Sequence, residues 1–210
     1  MSQMKARFRG FAPVVVDLET GGFDKEVHAV LQIAAVSLAW TEGLLGIETL
    51  RTWNVEPHPD TRVEAASLQL TGIELGDAER GAVSEAEAMR EMFRFVRGVV
   101  KRSGCQRAVL TAHNAHFDHG FVMEAAARNR IGRNPFHPFT VLDTASLAAL
   151  AYGHTVLSEA CARAGLDFED KRAHSAGYDA ETTARLFCSI VNTWDASAPA
   201  GLIPDVLGTD

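Results

Sequence analysis

Four acidic residues and one histidine stand where a fold would have to tolerate charge in apolar company. Asp17 and Glu19 close the run Val14-Val15-Val16-Asp17-Leu18-Glu19. Asp118 ends His113-Asn114-Ala115-His116-Phe117-Asp118, and His174 and Asp179 bracket His174-Ser175-Ala176-Gly177-Tyr178-Asp179. Residues two apart on a strand project to one face, so Asp17 and Glu19 stand side by side and Leu18 points away. Two unpaired carboxylates in an apolar strand are costly to bury. A divalent cation removes that cost, and hard oxygen ligands are what Mg²⁺ and Mn²⁺ prefer. Clustered carboxylates are the components of a site that hydrolyses phosphodiesters, with two ions about 3.5–4 Å apart activating a water and stabilising the entering and leaving oxygens. His174 can take a proton from that water near neutral pH. Singly, Asp118 and Asp179 have a plainer reading, because an acid in the first turn of a helix gains about 0.3–1 kcal/mol from the macrodipole. Only the set points to a site. His113, His116 and His119 do not have the spacing of a structural zinc site.

Placing these groups together requires a sheet with helices on its faces. Phe11 to Leu18 is a β-branched run of the kind buried at a sheet centre, and Thr20-Gly21-Gly22 forces a turn. Val30 to Trp40 and Leu50 to Glu56 read as the next two strands, the latter closed by Pro57 and Pro59. Short connections make this start antiparallel. The period then changes. Ser84-x-x-Glu87 is a capping box, Met89, Met92, Phe93, Val96, Val99 and Val100 recur at helical spacing, and Gly104 ends the helix. Arg107 to Ala112 is a fourth strand, Phe117 to Arg130 a helix, and Thr140 to Leu142 a fifth strand. Helices follow over Ala145 to Tyr152, Val156 to Ala164 and Ala176 to Trp194. The expected fold is α/β, a mixed five-stranded sheet flanked by helices. Asp143, at the end of the fifth strand, is expected to cap a helix or support the site rather than ligate metal.

The chain has 210 residues, 47% hydrophobic and 22% charged, which suits one domain over residues 1–210. Its ordered core is expected over about residues 7–195, between a short basic tail, Lys5 to Arg9, and a Pro/Ala/Gly-rich tail after Trp194 that should fray. A net charge of -7 argues against a generic nucleic-acid coat but leaves room for a local basic patch. Cys105, Cys161 and Cys188 are far apart and form no CxxC pair, as expected of reduced thiols in a cytoplasmic protein. Neither a signal-peptide stretch at the start nor an apolar run long enough to span a membrane is present in the sequence, so a soluble, intracellular protein is expected.

Asp17-x-Glu19, His113-Asn114-x-x-Phe117-Asp118 and His174-x-x-x-x-Asp179 resemble, in order, the three motifs of the DEDD exonuclease superfamily, which has the ribonuclease H-like fold. The histidine in the third motif is that of the DEDDh branch; the tyrosine branch would need Tyr where this chain has Ser175. Similarity to RNA-trimming members of that branch runs from Arg7-Phe8-Arg9-Gly10-Phe11 to Asn192-x-Trp194. It includes Asp77-x-x-Arg80-Gly81-Ala82-Val83-Ser84-Glu85 and Arg133-Asn134-Pro135-Phe136-His137-Pro138-Phe139. The resemblance implies a Mg²⁺-dependent, single-strand-specific 3′→5′ exoribonuclease, with Mn²⁺ as a substitute, that releases nucleoside 5′-monophosphates. It implies trimming of tRNA and other stable RNA 3′ ends, degradation of single-stranded DNA, and a homodimer. Asp17, Glu19, Asp118 and Asp179 would hold metal, with His174 completing the catalytic set. Polymerase proofreading exonucleases and oligoribonuclease share the three motifs; an RNA-binding module without catalysis would have no need of clustered acids.

The same resemblance assigns Phe23, Phe117 and Phe139 to stacking or wedging of terminal bases. Read without it, Phe117 and Phe139 are core residues, whereas Phe23, in a turn after Gly21-Gly22, is not. The pattern is broken at Leu70, where phenylalanine is expected, and at Ala66, where glutamate is expected. Arg7, Arg9, Lys101, Arg102 and Arg107 resemble a nucleic-acid patch that one subunit presents to the active site of the other. Arg90, Arg94, Arg97 and Lys101 also share one helical stripe, which by default is a solvated face.

Overall fold

The computed structural model describes residues 2–199. One sheet holds β1 (Phe11–Thr20), β2 (Val30–Thr41), β3 (Leu44–Glu56), β4 (Val83–Ser84), β5 (Arg107–Ala112) and β6 (Phe136–Asp143), in the order β4-β3-β2-β1-β5-β6. The helices are α1 (Gln3–Arg7), α2 (Ala65–Thr71), α3 (Glu85–Arg102), α4 (His116–Arg128), α5 (Thr144–Tyr152), α6 (Leu157–Arg163) and α7 (Ala176–Ser197). The antiparallel start is present in β1, β2 and β3. β5 runs parallel to β1, and β6 parallel to β5.

Strand alternation decides what each face of the sheet meets. Ala12, Val14, Val16 and Leu18 of β1 are buried with Met89, Met92, Phe93 and Val96 of α3 and with Phe121 and Val122 of α4. Val15 is buried on the other side with Ala180, Ala184 and Phe187 of α7. Because side chains alternate along a strand, the later residues on Val15's face, Asp17 and Glu19, emerge on the side of α7. With both faces covered, β1 reads as a continuous apolar run until Asp17 interrupts it.

A buried ion pair ties the start of α3 to the end of α4. Glu85, 2% exposed, accepts from Arg128 Nη2 at 2.7 Å and Nε at 3.1 Å, and from Asn129 Nδ2 at 2.6 Å. Glu85→Ala is expected to destabilise the fold by about 3–5 kcal/mol, because it leaves the Arg128 guanidinium buried without its counter-charge. An unchanged denaturant midpoint would contradict this.

Several elements differ from expectation for physical reasons. To the expected strands the structure adds β4, two residues that pair with β3 at Val55↔Val83; two residues carry no period. The basic segment before β1 is not a loose tail but α1, with Met4 buried and the Ser2 hydroxyl bonded to the Ser103 carbonyl. β3 begins at Leu44, because it turns back directly from β2 in a hairpin, and β6 begins at Phe136. α2 was not expected. α7 continues past Trp194 to Ser197, and the rest of the tail expected to fray lies outside the described residues from 200 onward.

Candidate active site

At the end of β1 the chain turns through two glycines because nothing larger fits. A Cβ on Gly21 would meet the Arg62 carbonyl at 2.8 Å, and one on Gly22 the His28 ring at 2.5 Å. A third glycine brings in α7: a Cβ on Gly177 would meet Thr52 Cγ2 of β3 at 3.1 Å. The first turn of α7 is fixed by Gln32, whose Oε1 accepts from Ala176 N at 2.9 Å and which faces Glu19 in the β1–β2 register. Carboxylate oxygens of Asp17, Glu19 and Asp179 consequently lie within 4.8 Å of one another. Asp118, in the first turn of α4, is 4% exposed, and its Oδ1 accepts from Leu18 N at 3.1 Å. It lies outside that closest trio but near enough to act on Asp17.

Among the described residues, no lysine or arginine forms an ion pair with any of these four acids. Burial holds the Asp17 carboxyl well above the ordinary range, and Asp118, Glu19 and Asp179 add to the shift. Burial, then Asp179, pushes Glu19 up to about 7. Burial pushes Asp118 up to about 8, with backbone hydrogen bonds opposing and the charges of Glu19 and Asp143 assisting. Asp179 is raised by burial and partly relieved by His174, whose N–H donates to its Oδ2 at 2.8 Å. Burial and mutual repulsion oppose the joint ionisation of these acids near neutral pH, and added positive charge would favour it. Their all-oxygen donor set fits a hard divalent cation rather than a thiophilic one.

His174 enters α7 from a loop with φ of 64°, its side chain exposed beside Asp179. The loop hangs on Tyr178, whose hydroxyl accepts from Glu169 N and whose ring lies 4.5 Å from Arg172 Cζ. Asp143 caps α5 and also holds the segment before α4: its Oδ1 accepts from Ala145 N, Asn114 N and Ala115 N, and its Oδ2 from Ser146 Oγ. Burial alone would raise Asp143, but these bonds hold it below the usual carboxylate range. His113 bonds Thr144 Oγ1 and the Thr155 carbonyl, and His119 bonds the His137 carbonyl, so these two pin separate segments. Sequence reasoning missed Gln32; an amide inside the apolar run of β2 was the available signal.

Phe23 is 84% exposed. It meets the half-buried Phe117 edge-on at 6.3 Å, and both line a cleft of about 520 Å³ with Lys25 and His116. Phe139 is also 84% exposed, which corrects its reading as core. Leu70 and Ala66 lie exposed on α2. The basic residues are not brought to the carboxylates of their own chain. Arg107 pairs with Phe11 at the start of β1, six residues before Asp17, or about 20 Å along the strand. Arg7 is held by Asp195 at 3.0 Å and Arg102 by Glu48 at 3.0 Å. Arg9 packs over the Phe11 ring, and Lys101 and Arg107 are exposed. The stripe of α3 is a solvated face, as expected, with Arg94 near Glu91.

Comparison with known proteins follows the same lines. The family model described as RNase T exonuclease matches residues 14–187. Ribonuclease T of Hahella chejuensis (strain KCTC 2396) is 53% identical over 194 residues, covering 92% of this chain and 89% of that protein. Ribonuclease T of Escherichia coli (strain K12) is 53% identical over 189 residues, covering 90% and 88%. Among solved structures, E. coli exonuclease I in complex with a dT13 oligonucleotide matches with a TM-score of 0.66 at 18% identity, over 87% of this chain and 41% of that one. A 3′-exonuclease that recognises the histone mRNA stem-loop matches with a TM-score of 0.68 at 18% identity, over 86% and 63%. These two likenesses are of fold.

Proposed function

The chain belongs to the ribonuclease T family of exonucleases, and on that footing we propose that it is a Mg²⁺-dependent, single-strand-specific 3′→5′ exoribonuclease, trimming tRNA and other stable RNA 3′ ends in the cytoplasm and also degrading single-stranded DNA. The whole chain forms one exonuclease domain in this reading. The observation that carries it is the meeting of Asp17, Glu19 and Asp179 within 4.8 Å, with no lysine or arginine paired to them among the described residues and with Asp118 buried nearby. These four would hold two Mg²⁺ ions, with Mn²⁺ as a substitute. When bound, such ions orient a phosphodiester and stabilise charge on its entering and leaving oxygens.

The chain's own residues do the rest. His174, at the exposed mouth beside Asp179, accepts the proton of the attacking water on an imidazole nitrogen. Phe23, Phe117 and Phe139 offer ring faces or edges to unstacked bases, which every base can use and a closed duplex cannot. No helix among the described residues is long and apolar enough to cross a membrane. The basic residues near the start of β1 lie too far from their own carboxylates to serve them, which favours a homodimer in which one subunit's Arg9, Lys101 and Arg107 hold the strand entering the other's site. Arg7 and Arg102, paired in this chain, contribute only if those pairs open.

Digestion of a tRNA with a 3′ overhang and a matched blunt duplex, with Mg²⁺ or EDTA, tests the reading at nucleotide resolution. Stepwise shortening of the overhang alone, stopped by EDTA, is expected. Binding without cleavage would make the protein an RNA-binding module and overturn the assignment.

A further inference from the structure

β6 does not run straight. Its pairing with β5 passes from Ala108↔Phe136 to Leu110↔Val141, five steps on one strand against two on the other. The residues between, His137 to Thr140, stand out as a bulge, a device that re-aims side chains. At its crest is Phe139, 84% exposed. His137 braces the bulge from within. Its Nδ1 accepts from Phe139 N at 3.2 Å and from Thr140 N at 2.9 Å. That is the local pattern by which an Asn or Asp side chain holds a turn, and two donors on Nδ1 put the ring hydrogen on Nε2. The His137 ring contacts Phe11 at a centroid distance of 5.3 Å and Phe139 at 5.8 Å. Its carbonyl accepts from His119 Nε2 at 3.1 Å, and His119 follows Asp118 in α4. An exposed ring is thereby fixed, through one histidine, to the helix that carries a site carboxylate.

We propose that His137 is a positioning residue for the nucleic-acid strand: by bracing the bulge it holds Phe139 as a stacking wall for a base upstream of the 3′-terminal nucleotide. This rests on the exonuclease reading above. The upstream placement follows from the sheet. Phe139 lies four residues before Asp143, which pairs with Ala112 at the site end of β5, a separation of about 10 Å or more along the strands. The terminal nucleotide, held at the carboxylates, is out of its reach, and the next bases are not.

The test uses single-stranded RNAs carrying 2-aminopurine at successive positions from the 3′ end. Quenching on binding is measured in EDTA, and cleavage in Mg²⁺ is followed in parallel. The variants are His137→Ala, His137→Asn and Phe139→Ala. Loss of a stacked base is expected to raise KM about tenfold or more. His137→Ala and Phe139→Ala should both lose quenching at the same internal position and raise KM, with kcat little changed. His137→Asn should behave as wild type, because its carboxamide oxygen can accept the same two N–H groups. Wild-type quenching in His137→Ala, or no internal position quenched in wild type, would overturn the proposal. So would a fall in kcat at constant KM, or equal losses of melting temperature and quenching in the Ala and Asn variants. Absence of cleavage by wild type in Mg²⁺ would instead count against the exonuclease reading, and the quenching arm would still decide the role of His137.

Discussion

Asp179→Ala is expected to lower Mg²⁺-dependent hydrolysis by at least about 10³-fold without loss of the fold. Losing a partner that merely orients a metal ligand costs about 10–100-fold, and Asp179 belongs to the closest trio of carboxylates. The accompanying change in stability should have the opposite sign from that of most buried substitutions. Asp179 raises the carboxyls of Asp17 and Glu19, so removing it relieves repulsion in the metal-free protein. Single-nucleotide gels with Mg²⁺ and thermal melts in EDTA check both halves. Full activity would remove Asp179 from the site, and a collapsed melting temperature would make it a structural residue.

What a sequence shows of such a site depends on how local the geometry is. Asp17 and Glu19 were legible as a pair because the two-residue period of a strand is local, but that they emerge on the side of α7 was not. Their meeting with Asp179 depends on Gly177 fitting against Thr52 and on Gln32 holding Ala176 N, contacts between segments far apart in the chain. Only the order of the motifs hinted at it. Asp143 was legible as a cap, and the structure adds its hold on Asn114 and Ala115. Phe139 was misread without the family, because an aromatic residue beside a strand is usually core; a bulge reverses that, and nothing in the alternation announces a bulge. The charges of the basic patch were visible, but not that the length of β1 separates them from the acids. α1 and β4 are too short to carry a period.

Without metal, stability is expected to fall as pH rises from about 5 to 8.5, and Mg²⁺ is expected to flatten that fall. Glu19 is raised from its ordinary 4.5 to about 7, and Asp118 from 3.8 to about 8. Between those limits the folded chain holds protons that the unfolded chain has released. The stability they confer is complete below about pH 4 and is lost as pH climbs through 7 and 8. At about 1.4 kcal/mol per unit, Glu19 alone accounts for on the order of 3 kcal/mol. In a chain of this size that is about 6–12 °C of melting temperature. Divalent cations bind the ionised acids, so the gain from Mg²⁺ over EDTA should be small near pH 5.5 and grow towards pH 8.5. A gain independent of pH would mean that the acids are already ionised without metal, and the cluster would then owe its charge balance to some other group. A growing gain would tie the ion to the same carboxylates whose burial the fold otherwise tolerates only by protonating them.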